Sequence, residues 1–289
     1  MVPAAARPFV SASRRTDIPA FFSAWFMECV HRGHVDVANP FRPSQVRRVS
    51  LAPEDVQALF FWTRFPEPLL VHLRELDDLG FRTVFHVTVT GLPPDLEPFP
   101  HPLDRRIAAV QALAERIGPG RVWWRYDPIV AGDVLTPAWH EDTFGKLAEA
   151  LSGSTTRVTL SLLDWYRKTE RGLRRVADLS AFARQDGTEP EVVRLVSALA
   201  AKAAASGMHA VSCCEPALAA AGVASGACID AAAVHRLFGI PRVEGTDPGQ
   251  RPGCRCAPSY DIGTANTCRG GCVYCYATHP HGREQSALE

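Results

Sequence analysis

The chain has 289 residues, of which 46% are hydrophobic and 21% are charged, and this composition predicts a globular protein with a substantial core. Lys plus Arg and Asp plus Glu each number 31, so no net field attracts a polyanion and nucleic acid is an unsupported partner. The N-terminal segment has no signal-peptide pattern, and no apolar run approaches the ~18 residues of a membrane span. We therefore expect a cytoplasmic protein with no membrane partner.

Buried strands are predicted wherever β-branched, aromatic or other apolar residues form short runs. Six such runs lie at residues 9–13, 58–63, 83–89, 121–127, 157–163 and 209–214. Helical patterns alternate with them at residues 18–32, 67–79, 102–117, 137–151, 189–206 and 229–238. The sequences VDVAN and VRRVS, at residues 35–39 and 46–50, predict a small hairpin after the first helix.

Strands that alternate with helices predict an α/β fold with a parallel sheet. Six units favour an open, partial (β/α)6 TIM-like barrel over residues 1–239, with a doubly wound sheet and a closed eight-stranded barrel as alternatives. Residues 240–289 then form a cysteine-rich extension. Because a sixth helix that ends near residue 238 returns the chain beside its first strand, we expect this extension to pack on the barrel mouth.

The C-terminal region contains a C-x-x-x-C-x-x-C motif at Cys268, Cys272 and Cys275. Three thiolates on one short turn can hold three irons of a 4Fe-4S cluster, and the fourth iron is then open to a small molecule. Gly270 and Gly271 let the backbone fold tightly around such a cluster. The motif therefore predicts an iron–sulfur site with one open position.

Eight of the nine cysteines follow residue 212, which indicates a local metal-binding role rather than a disulfide scaffold. Four of them could form a second 4Fe-4S cluster, namely Cys254, Cys256, Cys228 and either Cys213 or Cys214. The alternatives are that Cys213, Cys214 and Cys228 are small buried side chains, or that the C-x-x-x-C-x-x-C motif forms a zinc site with Cys254 and Cys256 or with His279 and His281. The remaining cysteine, Cys29, is predicted to lie in the core.

Polar side chains follow every predicted strand at its carboxyl end, where parallel barrels place their reactive groups. They are Ser13, Arg14, Arg15, Thr16, Asp17, Thr63, Arg64, Glu67, Thr88, Thr90, Arg125, Tyr126, Asp127, Asp164, Tyr166, Lys168, Cys213, Cys214 and Glu215. Helix capping does not explain two consecutive arginines, so we expect Arg14 or Arg15 to hold a carboxylate or phosphate. For Arg125 and Asp127, a buried ion pair is the structural alternative to a role in binding.

The segment 266–277, which contains CRGGCVYCYA, resembles the cluster loop of the radical S-adenosylmethionine (SAM) superfamily, especially the branch near spore photoproduct lyase that has YCYA. In that superfamily the motif lies near the N-terminus, whereas only 14 residues follow Cys275 here. The resemblance therefore implies the same kind of site in a permuted order.

This resemblance also implies that strand ends bind SAM, with Arg14, Thr63, Arg125 and Asp127 as the expected contacts. The superfamily's GGE motif, which binds the SAM amino group after the second strand, is absent. Thr63, Arg64 and Glu67 occupy that place in the chain.

A second resemblance spans nearly the whole chain. Its motifs are SRRTDIP at 13–19, FWTRFPEP at 61–68, WRYDPI at 124–129, SCCE at 212–215, CID at 228–230 and QRPGCRCAPSYDIG at 250–263. With these motifs the chain resembles the bacterial family of the domain of unknown function numbered 1848, whose members carry a C-terminal cysteine cluster. The family resemblance does not supply a reaction.

Together these features predict a radical SAM enzyme that cleaves SAM at a 4Fe-4S cluster and abstracts hydrogen from an unknown substrate. Such an enzyme needs a reductant such as flavodoxin or ferredoxin, and its substrate is expected to be a small molecule or a residue that a partner presents. A non-catalytic iron–sulfur redox or sensor protein is the alternative. A zinc-stabilised binding module is the third hypothesis.

Overall fold

Eight strands form one parallel sheet in the computed structural model, which describes residues 7–39 and 42–278. In chain order the described strands are β1 (Phe9–Ala12), β2 (His34–Asn39), β3 (Arg42–Ser50), β4 (Ala58–Thr63), β5 (Thr83–Thr88), β6 (Val122–Ile129), β7 (Arg157–Leu162), β8 (His209–Cys213), β9 (Ala224–Gly226) and β10 (Ser259–Asp261). β2 and β3 pair as the predicted hairpin. All six predicted strands are present, and the α/β prediction is confirmed.

The order of strands in the sheet is β10-β1-β4-β5-β6-β7-β8-β9, and every neighbouring pair is parallel. From β1 to β9 the order follows the chain without the reversal of a doubly wound sheet. Within the described residues β9 and β10 are the two edges and do not pair, so the sheet is not closed. The predicted count of six strands was too low by these two short edge strands.

The helices lie between the strands, as a parallel sheet requires. They are α1 (Ile18–Phe21), α2 (Ser23–Arg32), α3 (Glu67–Leu70), α4 (Leu73–Asp78), α5 (Leu103–Ile117), α6 (Pro137–Ala150), α7 (Arg167–Leu173), α8 (Pro190–Ala205) and α9 (Ala231–Phe238). The predicted helix at 18–32 is divided at Phe22, and the one at 67–79 is divided between α3 and α4. Asp17 caps α1 through Oδ1, which accepts from Ala20 N at 3.0 Å.

Alternate residues of the central strands face two different environments. Leu59 and Phe61 of β4 pack in the large core cluster that includes helix side chains, whereas Phe60 packs with Trp123 of β6 in a second cluster. This second cluster also contains Ile229, Val243 and Ala257. The region that follows β9 therefore covers part of the sheet face opposite the main core. No helix in the described part of the chain is long and apolar enough to span a membrane.

Candidate metal centre and cofactor cavity

A cavity of about 480 Å³ lies at the carboxyl ends of the central strands. It is lined by eight cysteines, which are Cys213, Cys214, Cys228, Cys254, Cys256, Cys268, Cys272 and Cys275. The ninth, Cys29, is buried in the main core, as predicted. These eight cysteines are spread over more than 60 residues of sequence but line one cavity. Two neighbouring thiolate sites would require such a shared location.

The strand-end residues divide into those that line this cavity and those that do not. Arg14, Thr63, Arg125 and Asp127, the predicted cofactor contacts, all line it. Five others are not among its lining residues, namely Glu67, Thr90, Tyr126, Lys168 and Glu215. Four of these have structural partners instead. Glu67 pairs with Arg105, Thr90 bonds to Glu97, Tyr126 bonds to His140, and Glu215 accepts from Ser161 Oγ.

Among residues 7–39 and 42–278, no three His, Cys, Asp or Glu side chains are arranged to hold a metal ion. His279 and His281, which the zinc alternative used, lie outside these residues. Seven of the eight cavity cysteines nevertheless form two groups, and Cys214 belongs to neither. The loop cysteines are Cys268, Cys272 and Cys275, and the sheet-end cysteines are Cys213, Cys228, Cys254 and Cys256. All four sheet-end cysteines pack in the second cluster, whereas Cys272 packs in a third cluster with Tyr274.

The loop of the first group is shaped by close backbone contacts. Cys275 N donates to the Cys272 carbonyl at 3.1 Å, and Val273 N donates to the Leu96 carbonyl at 3.0 Å. Gly271 has φ of +73°, and a Cβ there would lie 3.0 Å from Pro98 Cγ. Glycine is favoured at this position because it tolerates the left-handed conformation and leaves room for the neighbouring proline.

A buried carboxylate fixes the same loop from the other side. Glu97 Oε2 lies 2.8 Å from Arg64 Nη1 and 3.7 Å from Arg106 Nη1, and its side chain is only 1% exposed. The Tyr274 hydroxyl donates to Glu97 Oε1, and Thr90 Oγ1 donates to it at 2.6 Å. Burial alone would raise the pKa of Glu97, but the two guanidinium groups outweigh it and hold that pKa below its usual range. A charged network therefore holds Tyr274, which lies between Cys272 and Cys275.

The tail that leads into the loop is tied to β1 by a second carboxylate. Asp261 Oδ2 accepts from Ser11 Oγ and from Arg14 N, both at 2.9 Å, while Asp261 Oδ1 accepts from Ser13 Oγ at 2.8 Å. A Cβ on Gly263 would lie 1.9 Å from Ser13 Oγ, so only glycine allows this approach. The contacts explain how residues near the C-terminus lie beside the first strand.

The sheet-end cysteines come from three segments of the chain. Cys213 ends β8, Cys228 follows β9, and Cys256 belongs to the tail. Cys213 Sγ lies 3.1 Å from Cys228 Sγ, and Cys256 Sγ accepts from Cys228 N at 3.2 Å and from Ile229 N at 3.4 Å. The thiol groups are thus in mutual contact within an otherwise apolar cluster.

Arg125 connects this group to the predicted cofactor contacts. Its Nη1 donates to Cys228 Sγ at 3.0 Å, and its Nε and Nη2 donate to Asp127 Oδ2, with Nε at 3.0 Å. The Arg125 side chain is 8% exposed and that of Asp127 is 24% exposed. Arg125 and Asp127 therefore form the ion pair that the structural alternative predicted, and the carboxylate is its more accessible member.

The two cysteine groups differ in the acidity of their thiols. Burial raises the pKa of Cys268 to about 11 and that of Cys272 to about 12. By contrast, hydrogen bonds from the Cys213 and Cys256 thiols, together with the nearby Arg125 charge, hold the pKa of Cys228 well below its usual range. Cys228 is therefore the cavity thiol whose surroundings most favour the anion.

Thr63 and Arg14 hold the first strands in place as well as lining the cavity. Thr63 Oγ1 accepts from Phe65 N at 2.9 Å and is buried, so it shapes the turn after β4. Arg14 Nη2 donates to Ser259 Oγ at 3.1 Å, and its guanidinium lies over the Trp62 ring. Arg14 Nε is buried without a hydrogen-bond partner among the described residues. A buried N–H without a partner needs an explanation, and an acceptor on a bound molecule would supply the missing hydrogen bond.

Sequence reasoning missed the roles of Glu97 and Asp261, whereas its prediction that His86 is a hydrogen-bonded core residue on a strand is confirmed. Glu97 lies in a proline-rich loop that carries no periodic signal, and its partners Arg64 and Tyr274 are far away in sequence. Asp261 belongs to the motif QRPGCRCAPSYDIG at 250–263, and this motif was the available signal in the sequence. His86 Nε2 donates to the Cys228 carbonyl at 2.8 Å, and its ring stacks on Trp62 with centroids 4.6 Å apart.

The fold and cavity define a parallel α/β protein with eight thiols at the carboxyl edge of its sheet. Comparison with models of protein families identifies the family of the chain. The chain belongs to the family described as Domain of unknown function (DUF1848), whose model matches residues 9–277. That match includes the sheet and both groups of cysteines. A search of curated proteins gives no match.

Proposed function

We propose that this protein is a radical SAM enzyme whose 4Fe-4S cluster binds to the loop cysteines. The observation that carries the proposal is that Cys268, Cys272 and Cys275 line the same cavity as Arg14, Arg125 and Asp127. Three thiols on one loop are the donor set that an open cubane site needs, so the residues fit the cluster in number and chemistry. The strand order from β1 to β9 also supports the partial TIM-like barrel that many enzymes of this class use.

Cys268, Cys272 and Cys275 would hold the cluster, which would supply one-electron reductive cleavage of SAM, with the electron coming from a reductant such as ferredoxin or flavodoxin. The chain's own part is to orient SAM and exclude water. Phe99 and Pro98 pack against Gly270 and Gly271, and Tyr274 of the loop is buried. These residues shield the side of the loop that faces the core.

Asp127 and Arg14 are the proposed SAM contacts. Asp127 is the more exposed member of its ion pair and lines the cavity, so its carboxylate suits the ribose hydroxyls or the amino group of SAM. The unpaired N–H at Arg14 Nε suits the SAM carboxylate. Arg125 positions Asp127, and Thr63 supports the adjacent turn.

The test is anaerobic reconstitution of the full chain with iron and sulfide, followed by electron paramagnetic resonance of the reduced protein with and without SAM. We expect a cluster signal that changes on addition of SAM, together with production of 5′-deoxyadenosine. Substitution of Cys268, Cys272 or Cys275 by Ala should abolish the product, because three ligands leave no redundancy. Cys29→Ala, which removes a cysteine of the main core, should retain it.

Two outcomes would overturn the proposal. Continued reductive cleavage of SAM in a loop-cysteine variant would refute the ligand assignment. A cluster signal that SAM does not change, in protein that forms no 5′-deoxyadenosine, would instead favour the non-catalytic redox or sensor protein.

A further inference from the structure

The sheet-end cysteines form a thiol cluster that the proposed SAM chemistry does not use. Cys213, Cys228, Cys254 and Cys256 come from the end of β8, the segment after β9 and the tail, yet they share one packing cluster. Cys214, although it lies next to Cys213 and also lines the cavity, is not in that cluster. Its thiol donates to the Pro252 carbonyl at 3.3 Å instead.

The donors that surround these sulfurs are those that an anionic sulfur needs. Arg125 Nη1 donates to Cys228 Sγ at 3.0 Å, and two backbone N–H groups, from Cys228 and Ile229, point at Cys256 Sγ. A neutral thiol is a weak acceptor that gains little from a buried guanidinium or from paired backbone donors. Thiolates bound to metal, in contrast, are stabilised by such hydrogen bonds.

We propose that Cys213, Cys228, Cys254 and Cys256 hold a second metal centre with thiolate ligands, separate from the loop cysteines. Four thiolates match the ligand requirement of a fully coordinated 4Fe-4S cluster or of a structural zinc ion. This centre has no open position for SAM, so its role is electron transfer or the anchoring of the tail on the sheet. It therefore stands or falls independently of the radical SAM proposal.

Metal binding would require a small rearrangement of the sulfurs. Cys213 Sγ and Cys228 Sγ are 3.1 Å apart, whereas two thiolates at about 2.3 Å from a tetrahedral zinc lie about 3.8 Å apart. Cys213 and Cys254 are only partly buried, so their side chains have room to rotate. Cys228 and Cys256 are buried and remain under Arg125 and the backbone donors.

The experiment uses the full-length triple variant Cys268→Ala/Cys272→Ala/Cys275→Ala, which removes every loop ligand. It is purified anaerobically, offered iron plus sulfide or zinc in separate arms, and analysed for metal and acid-labile sulfide. We expect about four irons per chain in the iron arm if the site is a cluster, or one tightly held zinc if it is not. Adding Cys228→Ser and Cys256→Ser should lower the bound metal at least tenfold, whereas adding Cys214→Ser should leave it unchanged.

Chemical labelling of the triple variant tests the same site without further substitutions, so the result does not depend on whether the quintuple variant folds. Iodoacetamide labelling of the triple variant, read by mass spectrometry, should modify the sheet-end cysteines after a chelator removes the metal and spare them before. Cys214 should react equally in both states. The proposal of a second centre would be wrong if the triple variant retained its circular dichroism but bound no metal in either arm. It would also be wrong if the labelling did not depend on metal. In either case the four residues would be buried thiols only.

Discussion

The two cysteine groups share a cavity but are held by opposite kinds of interaction. The loop cysteines depend on a charged network, in which buried Glu97 joins Arg64, Arg106 and Tyr274. The sheet-end cysteines lie in a cluster of apolar and aromatic side chains, where the buried Arg125 donates to Cys228. The position of the loop is therefore set by a few strong and specific contacts. The position of the sheet-end group is instead set by packing that the sheet itself provides.

The largest expected effect comes from breaking the charged network. Glu97→Gln leaves Arg64 and Arg106 without their buried counter-charge, and loss of one partner of a buried pair costs roughly 3–5 kcal/mol of unfolding free energy. The loop should detach while the sheet-end cysteines stay in place. Urea unfolding measures the free energy, and iodoacetamide labelling should show faster modification of the loop cysteines alone.

The matched control is Glu67→Gln. Glu67 also pairs with an arginine at 2.8 Å, but both side chains are about half exposed, so its loss should cost less than ~1 kcal/mol. If Glu97→Gln cost no more than Glu67→Gln, the network would not be what holds the loop.

The next effect tests how closely α7 packs on the loop. A Cβ on Gly172 would lie 1.8 Å from the Val273 carbonyl oxygen, so Gly172→Ala must displace backbone and should cost roughly 3 kcal/mol, the upper end for overpacking. Gly145→Ala in α6 is the control, since its Cβ would meet only Lys202 at 3.6 Å and alanine favours the helix by about 1 kcal/mol. Thermal unfolding with iron content after reconstitution measures both. Equal stability of the two variants would mean that α7 does not constrain the loop.

The sequence predicted more of the sheet than of the contacts that assemble the site. Continuous apolar runs such as residues 58–63 predict a strand by themselves, and β4 has those bounds. β9 and β10 have three residues each and are not apolar runs, so they carry no periodic signal and exist through pairing with β8 and β1. Edge strands of this length depend on tertiary context.

The same limit applies to the site. The spacing of Cys268, Cys272 and Cys275 predicted their grouping because a short loop makes them neighbours in any fold. Glu97 bonds to Tyr274, 177 residues away, and Asp261 bonds to Ser11, 250 residues away, and no local pattern marks such a carboxylate. The polar residues at strand ends were predicted as a class, yet Tyr126 and Thr90 could not be told from Thr63 and Asp127 without the geometry of each strand end.

Acidification should change the folding stability in opposite directions through a histidine beside the sheet-end cysteines and an aspartate near the loop cysteines. Burial lowers the pKa of His86, beside the sheet-end cysteines, from 6.5 to about 3. Below about pH 6.5, His86 is therefore protonated in the unfolded chain but still neutral in the folded protein, so stability is lost as the pH falls below that value. Burial raises the pKa of Asp17, near the loop cysteines, from 3.8 to about 6, so folding favours its protonated form and stability is gained as the pH falls through that value.

The smallest predicted effect is the contribution of His86 to the pH dependence of the unfolding free energy. A protonated His86 would bury an N–H at Nδ1, which has no hydrogen-bond partner in the described part of the chain. Between pH 7.5 and 5 this should cost about 2 kcal/mol, since each unit of pKa shift corresponds to 1.36 kcal/mol. His86→Gln keeps an amide donor for the Cys228 carbonyl and does not titrate, so its unfolding free energy in urea should fall by about 2 kcal/mol less than that of the parent over this range. Asp17→Asn should change the pH dependence with the opposite sign, because it removes the group that gains stability in acid. A His86→Gln profile parallel to that of the parent would contradict the prediction, because it would show that His86 has the same pKa in the folded and the unfolded chain and that burial does not exclude its proton.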